Sequence, residues 1–269
     1  MKSLYVIGDS NIYGDEQLNH RDANVAKAIL QANKRFNYPS LKTYPYFIPN
    51  RKICNISTSG MSIDNMSDVY YQMVLPNLNS RHELLLHLPP IHRDNIYFDR
   101  YETNKNPDVK THFSKTVFDK WCKEYAGLQP TDRLFDLFVN LFNHETINPS
   151  KADQEPYNSV IVKFLEKWHW SKYHALNRYK SFIHLVETTS PCKNFYVYHT
   201  FSVPEKINTT LFDLLKNVDI DITNKIIDNS WHKNMTEITK KLNIPLYPQA
   251  HFHPQVHEEY CNKFVKKHF

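Results

Sequence analysis

The chain has 269 residues, of which 41% are hydrophobic, 23% charged and 14% aromatic, enough apolar material for a sizeable core and too much for a disordered tract. A formal charge of +5 comes from Lys and Arg dispersed among acids, so nucleic-acid binding is not indicated. No apolar run approaches the roughly 20 residues needed to cross a bilayer, so no membrane partner is expected.

In chain order, residues 4–7 form a short apolar run that stops at Gly8-Asp9-Ser10, the pattern of a buried first strand entering a loop. Residues 22–33 then carry Ala23, Val25, Ala26, Ile29 and Leu30 at helical spacing. A second strand is predicted over 52–57 and a helix over 62–75, with Ile63, Met66, Val69, Tyr70 and Met73 on one side. Residues 84–88 read as a third strand, stopped by Pro89-Pro90, 195–199 as a fourth and 244–247, among prolines, as a fifth. The stretch 254–269 reads as a last helix that starts on a proline.

Strands alternating with helices predict an α/β fold, with a mostly parallel five-stranded sheet between two helical layers. A single domain over 1–269 is expected. The segment of about 93–189 exceeds what one crossover needs and reads as a helical insertion, periodic at 135–142 and 159–186.

Two of only four glycines lie in the stretch VIGDSNIYG at 6–14. In an open α/β sheet, ligands and reacting groups gather at the carboxyl ends of the strands, which is where Ser10 falls if 4–7 is a strand. Gly-Asp-Ser also forms tight turns for backbone reasons alone, so the serine acquires chemical meaning only with a base. The stretch QAHFHPQVHEEY at 249–260 offers His251, His253 and His257 around the start of the last helix.

In that order, these residues resemble the SGNH/GDSL hydrolase family. VIGDSNIYG is similar to its first block, NISTSGMSIDNM at 55–66 to its second, and a histidine before the final helix to its last. The resemblance spans both ends of the chain but not the middle. It implies a three-layer α/β/α fold of the SGNH/flavodoxin-like type and a serine ester hydrolase acting on a small acyl ester, often on carbohydrate, with no cofactor. Ser10 would be the nucleophile, and the N–H groups of Ser10 and Gly60 the oxyanion hole. His251 would be the base, with His253 as the alternative that preserves a His-Pro pair. With His251 as the base, His253 would be the residue capping the helix and His257 a polar residue of its first turn.

Two features depart from the family. Its third block carries an Asn oxyanion donor, whereas HLPPIHRD at 87–94 has none, leaving His92 or Arg93 as substitute donors. It also places an Asp three residues before the His, where this chain has Pro248 or Ala250. A non-catalytic relative used for binding or assembly is therefore the alternative reading. A zinc site on His251, His253 and His257 lacks an Asp, Glu or Cys partner marked by spacing, so no metal is assigned. At helical spacing, Phe164, Trp168, Leu176 and Tyr179 read as packing, with Trp170 or Tyr173 as cleft-lining candidates. The scattered cysteines suit a reducing compartment without disulfides. With an opening apolar run too short for a signal peptide, the expected location is the cytoplasm.

Overall fold

A computed structural model describes residues 1–9, 42–57, 61–89, 94–97, 115–142, 144–147, 172–192, 194–199, 226–228, 231–246 and 251–269. Its elements in chain order begin with β1 (Lys2–Ile7), a 3-10 turn (Tyr44–Phe47) and β2 (Arg51–Asn55). Helix α1 (Ile63–Val69) continues through a π turn (Tyr70–Val74) and leads to β3 (Glu83–Leu88). Then come β4 (Asp94–Tyr97), α2 (Lys115–Trp121) with its π turn (Cys122–Ala126), α3 (Asp132–Phe142), β5 (His144–Ile147) and α4 (Lys172–Thr189). The chain closes with β6 (Phe195–His199), β7 (Ile226–Asp228), α5 (Trp231–Leu242) and α6 (Pro254–Tyr260), which runs on through Cys261–Val265 and Lys266–His268.

Five strands form one parallel sheet in the order β2-β1-β3-β6-β7. Because β1 sits between β2 and β3, the chain winds to one side of β1 and then to the other, the order of a doubly wound sheet. Strand β3 is buried on both faces, with Leu84, Leu85, Leu86 and Leu88 all at 0% exposure. That accounts for a continuous leucine run where a half-exposed strand would alternate.

Alternate residues of the central strands feed two separate cores. Tyr5, Ile7, Leu84, Leu86 and Leu88 join one with α1, α2, α3 and α4, while Leu4, Val6 and Leu85 join the other with the 3-10 turn, α5 and α6. The sheet is thus the middle of three layers.

Local signals explain the helix boundaries. Ser62 caps α1 by accepting the Asn65 N–H at 3.3 Å, and Pro254 occupies the first turn of α6. Gly127 ends the π turn after α2 with φ +65°, and a Cβ there would collide with Cys54 Sγ, so both conformation and space require glycine.

Four expected strands are in the sheet, but 244–247 is not the fifth. Asn243 adopts φ 52° and closes α5, with its own N–H bonded to the Lys240 carbonyl and the Ile244 N–H to the Thr239 carbonyl, both at 3.2 Å. Ile244 has therefore committed its donor, Pro245 has none, and Leu246 is exposed. The edge position belongs to β7, where no strand was expected.

Helix α5 was also not anticipated, although Trp231, Met235 and Ile238 recur at helical spacing and are its buried residues. Within 93–189, the described residues include an antiparallel ribbon, β4 with β5, besides the helices. The buried Phe118, Trp121, Phe138, Phe182 and Val186 of this segment pack in the same core as β1 and β3. The helix expected over 22–33 lies outside the described residues, as do 159–171.

Candidate active site at the carboxyl edge of the sheet

The carboxyl ends of β1 and β3 adjoin at the point where the winding reverses, which is where a doubly wound sheet opens a crevice. Three strand exits are pinned there. Gly8 and Asp9 follow β1 as buried residues. After β2, the Ile56 N–H still bonds the Val6 carbonyl at 2.8 Å, and the Asn55 side chain accepts the Ser57 N–H at 3.0 Å. After β3, the Pro89 carbonyl accepts the buried Tyr179 hydroxyl from α4, which makes Tyr179 both a core residue and an anchor.

Ser10, Gly60, His92 and Arg93 lie outside the described residues, as does Trp170. His251 and His253 are described, and Phe252 between them explains their setting. Its ring is buried and packs at 5.3 Å against Trp231, which meets the His87 ring of β3 edge-on at 4.8 Å. The segment is thereby fastened beside the carboxyl end of β3, with His251 and His253 half-buried on either side of the anchor.

His253 occupies the capping position of α6, but only its carbonyl takes part, accepting the N–H groups of Val256 at 2.9 Å and His257 at 3.2 Å. His253 is thus the capping residue, as expected, although its side chain makes no capping bond. His257 is indeed in the first turn, but it is 1% exposed rather than a solvated polar position. Its Nδ1 accepts the Tyr44 backbone N–H at 3.3 Å, which places the imidazole proton on Nε2 and leaves the ring neutral. Burial brings the His257 pKa down to about 3, with His87, His251 and His253 acting in the same direction.

The same Tyr44 carries a second contact. Its hydroxyl lies 3.1 Å from His87 Nδ1, and burial holds His87 down at about 4 against the opposing pull of Asp9. Tyr44 therefore links two buried imidazoles, His87 through its hydroxyl and His257 through its backbone N–H, and Asp9, next to Ser10 in sequence, acts electrostatically on His87. The rings of Tyr44 and His257 pack with the buried Trp231 and Tyr260.

Asp9, His87 and Tyr44 were not anticipated as parts of one cluster. An imidazole inside a strand of leucines was a visible signal for His87. Tyr44 offered none, because its partner His257 is 213 positions away.

The four cysteines are buried and free. Burial pushes the thiols of Cys122 and Cys261 up to about 12 and raises those of Cys54 and Cys192, so none supplies a thiolate near neutrality. Among the described residues, no group of three or more His, Cys, Asp and Glu is arranged to hold a metal ion, and no helix is long and apolar enough to cross a membrane.

No family model and no curated protein matches the chain. Among solved structures it is similar to Axe2, an acetylxylan esterase from Geobacillus stearothermophilus, at 11% identity over 99% of this chain and 93% of that one, with a TM-score of 0.39. A catalytic mutant of Axe2 aligns at 11% identity over 99% and 95%, with a TM-score of 0.43. A superposition this loose fixes no feature of the present chain.

Proposed function

We propose that the chain is a serine ester hydrolase of the SGNH type, one α/β domain over 1–269 with 93–189 as its insertion. The observation that carries this reading is the convergence at the carboxyl edge. Gly8 and Asp9, which precede Ser10, leave β1 at the switch point, and a histidine-bearing segment is fastened beside the end of β3 by Phe252, Trp231 and His87.

In this reading Ser10 Oγ attacks the carbonyl carbon of a small acyl ester. His251 takes the hydroxyl proton and then delivers it to the leaving alcohol, with His253 as the alternative base. The N–H groups of Ser10 and Gly60 hold the oxyanion, with His92 or Arg93 as a further donor. Water then attacks the acyl-serine and regenerates Ser10, releasing the acid. Substrates are simple acyl esters, with acetylated carbohydrate as the first class to screen. No cofactor enters these steps.

Fluorophosphonate labelling with peptide mapping tests the reading. The expected result is modification confined to Ser10, abolished in Ser10→Ala with the melting temperature nearly unchanged, and release of acetate from acetyl esters. A folded protein that takes up no label would instead point to a non-catalytic binding or assembly role. His251→Ala and His253→Ala, compared separately, identify the base, and wild-type rates in both would remove either as the proton acceptor.

A further inference from the structure

We propose that His257 is a positioning residue: by taking the Tyr44 N–H on Nδ1, it fixes the first turn of α6 and thereby the placement of the His251–His253 segment beside the carboxyl end of β3. The inference rests on the serine-hydrolase reading for its catalytic meaning, while the geometry it invokes stands on contacts among described residues.

The tie is unusual in its two ends. One is a backbone N–H of the 3-10 turn after residue 43, and the other is an imidazole on the last helix, both fully buried. A backbone N–H in such a place needs an acceptor, and here a side chain from a distant element supplies it. Because the bond uses Nδ1 as a lone pair, it also fixes the ring's rotation and tautomer.

The position of His257 is then transmitted over a short distance. Its own N–H bonds the His253 carbonyl at 3.2 Å, so the turn that His257 holds ends at His253. Phe252, one residue earlier, packs on Trp231, and Trp231 also touches the His257 ring at 6.4 Å between centroids. A rotation or withdrawal of the imidazole would move both supports of the 251–253 segment together. On the other side, the Tyr44 hydroxyl meets His87, which faces Asp9. One tyrosine thus joins the base segment, through its backbone, to the carboxyl end of β3, through its hydroxyl.

The test compares wild type, His257→Phe and His257→Asn. Phe keeps a ring without an acceptor, while Asn places an oxygen close to where Nδ1 stands. Two readouts are taken: the rate of fluorophosphonate labelling at Ser10, and amide hydrogen exchange at Tyr44 and over 251–257, with β3 amides reporting the global fold.

In His257→Phe, exchange at Tyr44 and over 251–253 should accelerate while β3 stays protected, and labelling should slow by about tenfold or more, as expected when a reacting group is misplaced. His257→Asn should restore both to within a few-fold of wild type. Should the Phe variant not fold, His257→Leu, which likewise offers no acceptor, takes its place with the same expectation.

Unchanged exchange over 251–253 in the acceptor-free variant overturns the proposal, as does labelling at the wild-type rate. A folded Asn variant that rescues neither readout also overturns it, because the ring would then matter for packing alone. If wild type itself takes up no label, the hydrolase reading fails separately, and exchange alone decides whether His257 holds the segment.

Discussion

The two ends of β3 bury a titratable residue on the same side of the strand, and they solve the problem in opposite ways. At the amino end, Glu83 is 3% exposed and is held by Arg51 through two guanidinium contacts, with Lys2 at 3.4 Å. Arg51 also reaches the Phe269 carbonyl at 3.1 Å, which ties the end of α6's extension to the sheet. At the carboxyl end, His87 is 0% exposed and packs against Tyr44 and Trp231, where burial outweighs the pull of Asp9 and keeps the ring neutral. A carboxylate placed in a core must bring its countercharge, whereas an imidazole can discard its charge. The amino end is therefore a fixed fastening and the carboxyl end responds to protons.

The largest expected effect falls on the fastening. Glu83→Ala leaves Arg51, whose side chain is 12% exposed, without its carboxylate, and such losses cost about 3–5 kcal/mol. The urea midpoint reads this directly, and Ser10 labelling per folded molecule should not change. A loss under about 1 kcal/mol would mean that the pair behaves like a surface ion pair, and the contrast between the ends would collapse.

Acid should weaken the other end. His87 and His257 have folded-state values of about 4 and about 3, both below the ordinary 6.5, so the unfolded chain takes up protons first as pH falls. Their contribution to stability is complete above about pH 6.5 and is lost as pH drops toward the folded values. At pH 5 the loss is about 2 kcal/mol from each, at about 1.4 kcal/mol per pH unit. Denaturation at pH 7.5 and pH 5 should therefore show His87→Gln losing about 2 kcal/mol less than wild type across that interval. Identical losses would place the proton uptake elsewhere.

The legibility of the chain follows the range of its interactions. Strand β3 was readable because four buried leucines in a row and a Pro-Pro stop are local facts, and α1 because Ser62 and the spacing of Ile63, Met66 and Val69 are equally local. The fifth strand was misread because Ile244, Pro245 and Leu246 look apolar in sequence, whereas their backbone is claimed by the end of α5. At the site, His251 and His253 could be found from their position before a Pro-started helix. Phe252 as their anchor and Tyr44 as the link to His87 could not, since both depend on elements brought together only by the fold. His257 could be placed in the first turn of that helix, but its burial against Tyr44 could not be read for the same reason.

The smallest effect discriminates most finely. Tyr44→Phe removes a hydroxyl 3.1 Å from His87 Nδ1 and keeps the ring that packs on Tyr260 and His257, so it should cost about 1 kcal/mol at pH 7.5. Its pH dependence reveals which group donates. If the hydroxyl donates to Nδ1, it stabilises only neutral His87, and its removal lets the ring protonate more easily in the folded protein. The cost of the substitution should then fall by about half near pH 4. If His87 donates from Nδ1 to the tyrosine oxygen, the bond survives protonation and the cost stays level down to that pH. A cost near zero at both values would show that the contact contributes nothing, and the link between His87 and His257 through Tyr44 would be broken.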